Sequence, residues 1–96
     1  MGVNISIVDM KTGKDVPGWD FCRHAGDREV FDVLQRVPHS TVARGDPRDG
    51  ITFERPDSVV DFRLALHTAF DFNTARWDQM CDMLAEDANR GLYFSW

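Results

Sequence analysis

The chain has 96 residues, of which 43% are hydrophobic and 28% charged, and its formal net charge is −5. This composition is too apolar for a disordered chain, and about 100 residues can bury enough apolar surface to fold as one domain without disulfides or metal ions. Two cysteines, Cys22 and Cys81, are too few for a disulfide framework, and no apolar run is long enough to cross a membrane. No secretory signal segment is evident, so the expected compartment is the cytoplasm.

The first element is a predicted strand over residues 3–8. Val3, Ile5 and Ile7 alternate with their neighbours, so they would share one buried face. Gly13 favours a tight turn after this strand, because glycine readily adopts a positive φ. The turn allows a short return strand at residues 15–16.

A helix and a long loop are predicted next. Asp27 offers an N-cap, and an apolar stripe continues to about Val37, where Pro38 ends the helix. Residues 38–50 contain two prolines and two glycines without any periodicity, which predicts an irregular loop. Loops of this length in compact domains are often binding elements or disordered.

A second strand and a second helix open the other half of the chain. Residues 51–54 alternate between apolar and polar, which predicts the strand. The helix begins at Asp57 or Ser58, and Ser58 with Asp61 resembles a capping box. Its apolar stripe has spacings of three and four residues: Val59, Phe62, Leu66 and Phe70.

A third helix and a final strand complete the predicted fold. Asn73 or Thr74 caps the helix, which ends near Asn89, and the alternating residues 92–96 predict a strand that pairs within the sheet. The order is β-(β)-α-β-α-α-β, with the second strand optional. It predicts an α/β or α+β fold with a three- to four-stranded sheet covered by about three helices, forming one domain over residues 1–96.

Acidic residues are concentrated in the second half of the chain. Residues 1–48 hold seven acids and seven bases, whereas residues 49–96 hold nine acids and four arginines. On the predicted third helix, Asp78, Asp82 and Glu86 form an acidic row that recurs every four residues, opposite the apolar stripe. Like charges at this spacing destabilise a helix, so the row is a candidate functional feature.

Few basic residues stand near this acidic row. No lysine follows Lys14, and Arg76 and Arg90 flank the row, where they could neutralise only its ends. Asp87 lies beside the row, and Asp57 and Asp61 on the preceding helix could widen the patch if the second and third helices pack side by side.

The acidic row is either an ordinary solvated face or a docking surface. As a docking surface it favours a basic protein partner, since regularly spaced negative charge can imitate a phosphate backbone. Direct binding of nucleic acid is disfavoured, because phosphates require Lys and Arg. We therefore predict a protein–protein interaction module without enzymatic activity, an inhibitor of a basic protein that handles nucleic acid.

Two other functions stay open. Cys22, His24 and His39 could serve a small enzyme or a metal protein, although Cys22-x-His24 is the one local pair of metal-ligand residues and no phosphate-binding motif occurs. We accordingly expect no metal ion and no cofactor. Alternatively, a structural subunit could assemble through the C-terminal strand.

Four aromatic residues belong either to the core or, where exposed beside the acidic row, to an apolar anchor for a partner: Trp19, Phe21, Phe72 and Trp77. The element order, the small size and the acidic last helices are similar to those of barstar-like inhibitors. Size and charge also resemble those of phage-encoded inhibitors such as anti-CRISPR proteins. Both resemblances imply a protein that binds and blocks another protein.

Overall fold

The structure, a computed structural model, describes residues 3–43 and 51–96. These residues form four strands and three helices: β1 (Asn4–Asp9), α1 (Asp27–Gln35), β2 (His39–Ala43), β3 (Thr52–Pro56), α2 (Val59–Ala69), α3 (Thr74–Glu86) and β4 (Arg90–Ser95). The predicted mixed α/β fold, with one sheet and three helices, is confirmed.

The sheet is antiparallel with the strand order β1-β4-β3-β2. The predicted pairing of the aromatic C-terminal strand is confirmed, because β4 lies between β1 and β3. β4 therefore has a neighbouring strand on each side. β1 and β4 pair along their whole length, whereas β3 meets β4 at Glu54↔Leu92.

The core lies between the helices and the β1–β4 half of the sheet. Helices α1 and α3 pack on β1, and α3 also packs on β4. The predicted apolar stripes supply most of the buried side chains: Val30, Val33, Leu34, Phe62, Leu66, Trp77, Met80, Cys81 and Leu84. Burial raises the pKa of the Cys81 thiol to about 12, so this cysteine acts as a small hydrophobic residue.

Local hydrogen bonds explain where the helices begin. The Ser58 hydroxyl accepts the backbone N–H of Asp61 at 3.1 Å, so the predicted start of α2 at Ser58 is confirmed. Helix α1 instead has Gly26 at its N-cap with φ 89°, and Asp27 is the first helical residue. The N-cap prediction for Asp27 is wrong because its buried carboxylate bonds outside the helix, to Arg76 of α3.

Strand β2 corrects the loop predicted for residues 38–50. Residues 39–43 are paired with β3, from His39↔Pro56 to Ala43↔Thr52, and residues 44–50 lie outside the described part of the chain. The side chains of β2 after His39 are all exposed. An edge strand with no buried face has no apolar alternation, which is why the sequence pattern missed it.

The opposite edge of the sheet is covered by the segment that follows β1. The predicted return strand at residues 15–16 is present as one isolated bridge, Val8↔Asp15. Beyond it, the Trp19 indole N–H donates to the backbone oxygen of Ile5 at 2.8 Å. Among the described residues no helix combines the length and the apolar character needed to span a bilayer.

Candidate protein-docking surface

Helices α2 and α3 form an antiparallel hairpin, and its outer side carries the acidic row. The two helices pack side by side, and ion pairs join them at two levels. Arg63 on α2 pairs with Asp82 on α3. His67 lies one turn further along α2, and it pairs with Asp78, which lies one turn before Asp82 on α3. The packing on which a wider acidic patch depends is therefore present.

Arg63 lies against the middle of the acidic row. Its guanidinium donates to Asp78 Oδ1 at 3.0 Å and also to Asp82 Oδ1. The Nε2 atom of His67 lies 2.7 Å from the same Oδ1 of Asp78. Two of the three acids in the row thus have a basic partner on α2.

This arrangement corrects the expectation that only Arg76 and Arg90 could relieve the row. Arg90 does pair with Glu86 at 2.8 Å, but Arg76 is directed into the core, where it pairs with Asp27. The periodicity of a single helix shows which of its own residues share a face. It does not show which residue of another helix will lie opposite, so Arg63 was missed.

The hydrogen bonds also fix the charges of this network. Bonds from His67 and then Arg63 hold the pKa of Asp78 below its ordinary value. The bond to Asp82 raises the pKa of the Arg63 guanidinium. Asp78 and Arg63 remain ionised at neutral pH, and the row is a network of alternating charges rather than a set of bare acids.

The three other predicted acids lie around the hairpin. Asp57 follows β3 and accepts the Ser40 hydroxyl at 3.1 Å. Asp87 follows α3 and accepts the backbone N–H of Asn89, which holds its pKa low. Asp61 lies in the first turn of α2, and within residues 3–43 and 51–96 its carboxylate makes no hydrogen bond or ion pair.

Two apolar side chains on α2 face solvent beside these charges. Val60 is 67% exposed and Leu64 is 62% exposed. At about 100° per residue they lie roughly 40° apart around the helix, with Asp61 on one flank and Arg63 on the other. We call Val60, Asp61 and Leu64, together with the acidic row, the α2–α3 face.

The sequence carried a signal for this exposed pair that the predicted stripe did not use. Helix α2 has apolar residues at Val60 and Leu64 in addition to the stripe that includes Phe62 and Leu66. One buried face cannot hold both sets, because Leu64 and Phe62 point about 160° apart. An excess of apolar residues over one stripe therefore predicts an apolar patch on the outer side.

The predicted aromatic cluster divides between the core and the surface. Trp19 and Trp77 are buried, whereas Phe21 and Phe72 are exposed. The Arg76 guanidinium stacks 4.2 Å above the Trp19 ring, so this tryptophan is not available as an anchor. On helix α2 itself, the exposed large apolar residues are Val60 and Leu64.

Cys22 and His24 share one carboxylate, that of Asp20. The backbone N–H of Cys22 donates to Asp20 Oδ1 at 2.9 Å, and His24 Nε2 lies 2.8 Å from Oδ2. The His24 contact lowers the pKa of Asp20 to about 2. Asp20 in turn raises the pKa of the Cys22 thiol, which disfavours the thiolate that a cysteine nucleophile needs.

His39 lies apart from this pair. Residues 20–24 lie beside β1, where Arg23 contacts Asn4, whereas His39 starts β2 at the other edge of the sheet. Three strand spacings separate these edges, about 14 Å. The residues of the enzyme alternative do not converge, and in the described ranges no three His, Cys, Asp or Glu side chains form a group that could hold a metal ion.

No family model matches this chain. Neither the curated proteins nor the solved structures include a match. The resemblance to barstar-like and phage-encoded inhibitors therefore rests on element order, size and charge alone.

Proposed function

We propose that this protein is a binding module that docks its α2–α3 face on a basic protein. The observation that carries the proposal is the exposed pair of Val60 and Leu64 with carboxylates beside it. Protein interfaces typically combine an apolar centre, which excludes water, with a polar and charged rim. Val60 and Leu64 would supply the centre, and Asp61 with the acidic row would supply the rim.

The charge of the hairpin supports a basic partner. Residues 57–90 hold seven acids and three arginines, so they carry four surplus negative charges. Complementary charge accelerates association and selects the partner more than it adds affinity. Lysines and arginines of a partner could also replace Arg63 as the neighbours of Asp78 and Asp82.

The partner class follows from the same charge complementarity. A basic surface that could cover several carboxylates at once is typical of proteins that bind the phosphates of nucleic acid. A module that covers such a patch would compete with the nucleic acid. We infer that the protein inhibits a nucleic-acid-handling protein in this way, with no reaction catalysed.

The variants must separate a loss of binding from a loss of the hairpin structure. Asp78→Lys with Asp82→Lys would leave Arg63 beside two new cations, so lost binding could reflect a disturbed hairpin. Asp61→Lys avoids this problem. Its matched control is Glu29→Lys, because Glu29 is also an exposed acid in the first turn of a helix. Both changes alter the net charge equally and remove the same type of helix-dipole interaction.

The apolar centre has its own matched pair, Leu64→Gln and Leu64→Met. Both preserve a long side chain at an exposed helical position, so neither should affect folding, but only Leu64→Met keeps an apolar surface.

The experiment begins with the four variants and the unaltered protein as baits in extracts of the source cells. Proteins retained by the unaltered protein are then purified and titrated against each bait by calorimetry over a range of salt concentrations. We expect a basic partner whose affinity falls with salt, falls about tenfold in Leu64→Gln and also falls in Asp61→Lys. Leu64→Met and Glu29→Lys should bind like the unaltered protein. Equal affinities for all variants, or a partner without a basic surface, would overturn the proposal.

A further inference from the structure

A separate cavity of about 410 Å³ opens where β3 and β4 stop pairing, beyond the contact of Glu54 with Leu92. Its volume is within the range of small-ligand sites, about 300–1,000 Å³. One carboxylate and several aromatic rings line it, including Glu54, Phe31, Phe94 and Trp96. None of these residues belongs to the α2–α3 face.

The carboxylate of Glu54 is the charged group in this wall. Glu54 is only 8% exposed, and its Oε2 accepts the Thr41 hydroxyl at 3.0 Å. His39 Nε2 lies 3.5 Å from the same oxygen, while His39 Nδ1 lies 2.8 Å from the backbone oxygen of Val37. The separation of 3.5 Å is at the outer limit of a hydrogen bond, so His39 compensates the Glu54 carboxylate only weakly.

Glu54 therefore receives little compensation from the described residues around it. An ionised carboxylate offers about four acceptor sites, and one hydroxyl donor uses one of them. A carboxylate that is mostly removed from water is unfavourable unless a cation or several donors accompany it. A positively charged group in the cavity would provide that compensation.

The aromatic residues of the cavity suit the same kind of group. Phe31 packs edge-on against Phe94 and against Trp96, with ring centroids 5.1 and 5.3 Å apart. Trp96 remains 70% exposed, although tryptophan has a large apolar ring. Its ring already attracts one cation, since the Arg28 guanidinium lies 6.0 Å from the centroid. Aromatic faces bind ammonium and guanidinium groups, and tryptophan does so best.

We propose that this cavity binds a cationic nitrogen group, an alkylammonium or a guanidinium, between Glu54 and the ring of Trp96. An anion would be repelled by Glu54, and an uncharged apolar ligand would leave the carboxylate buried without compensation. The cation can belong to a free amine or to a lysine or arginine side chain of a peptide. Both sources present the same chemistry to the site.

The test uses five probes and two-dimensional amide NMR spectra of the intact protein. Choline represents a free amine, and the N-acetyl methylamides of lysine and arginine represent peptide side chains. The corresponding norleucine and glutamate derivatives are the uncharged and anionic controls. We expect the cationic probes to shift the Trp96 indole signal and the amides of Thr52, Glu54 and Phe94. The lysine derivative should bind about tenfold more tightly than the norleucine derivative.

Variants assign the effect to the two proposed groups. Glu54→Gln should weaken the cationic probes about tenfold, whereas Glu29→Gln, the same change at an exposed position of α1 outside the cavity, should leave them unaltered. Arg28→Gln removes a competing cation from Trp96 and should leave binding unchanged or tighten it.

Two results would overturn this proposal: equal binding of the lysine and norleucine derivatives, or signal shifts confined to residues outside the cavity. Neither requires a variant, so the proposal stays testable if Glu54→Gln unfolds. Stronger binding of choline assigns the site to free amines, and stronger binding of the lysine or arginine derivative assigns it to peptides. Either order supports a cation site.

Discussion

Two arginine–carboxylate clusters attach helix α3 to the rest of the molecule, and they differ in burial. Arg76 and Asp27 join α3 to α1, and their side chains are only 10% and 1% exposed. Arg63, Asp78 and Asp82 join α3 to α2, with side chains 32%, 41% and 67% exposed. Water can replace the partner in the second cluster but not in the first. Arginine–carboxylate pairing therefore stabilises the fold at the buried Arg76–Asp27 pair. At the exposed Arg63 cluster it leaves carboxylates whose partner can be replaced.

The largest expected effect is that of removing the buried carboxylate. Asp27→Ala leaves the Arg76 guanidinium in the core without its counter-charge, which should lower the free energy of unfolding by about 3–5 kcal/mol. Urea denaturation followed by circular dichroism measures this loss. Asp82→Ala, the matched change in the exposed cluster, should have a much smaller effect. Similar losses for the two variants would show that the two clusters contribute equally to stability, which contradicts the comparison.

A second test compares the two arginines by conservative substitution. Arg76→Lys keeps the charge but loses the two hydrogen bonds to Asp27 and the stacking on Trp19, so it should cost about 1–2 kcal/mol. Arg63→Lys should change the free energy of unfolding by less than about 1 kcal/mol, because exposed ion pairs contribute little. Thermal unfolding of both variants at matched salt gives the two values. A larger loss for Arg63→Lys would contradict the assignment of roles.

The smallest expected effect is the pH dependence of the exposed cluster. The folded pKa of Asp78 is lowered by His67 and Arg63, so its ionised form favours the folded state. This contribution is fully present above the pKa of an unfolded aspartate, about 3.9, and is lost as the pH falls through the lower folded value. A carbon-detected NMR titration should place the Asp78 midpoint below the ordinary value of an aspartate, about 3.9. In Arg63→Gln with His67→Gln it should return towards the ordinary value, and an unchanged midpoint would show that these two residues do not cause the shift.

The sequence predicted those parts of the fold whose signals are local. Alternation identified β1, and the Ser58 cap identified the start of α2. The sequence pattern did not predict β2, because this edge strand is exposed on both faces and has no apolar alternation. It forms by pairing with its neighbour β3. The burial of Asp27 and of Glu54 was also missed, since each contacts residues that are distant in the chain.

The candidate docking surface was also predictable only where its signals are local in the sequence. The acidic row follows from helical spacing alone. The pairing of this row with Arg63 depends on how α2 and α3 pack against each other. The residue spacing within one helix does not predict that packing. Val60 and Leu64 could have been found, because α2 has more apolar residues than one buried stripe can hold.

The central claim is that the exposed α2–α3 face, and not the buried Arg76–Asp27 pair, is the part that binds a partner. The direct test is the affinity of the captured basic partner for Leu64→Gln relative to Leu64→Met, at equal measured stability. We predict a dissociation constant about tenfold higher for Leu64→Gln. Equal dissociation constants for the two variants would contradict the claim.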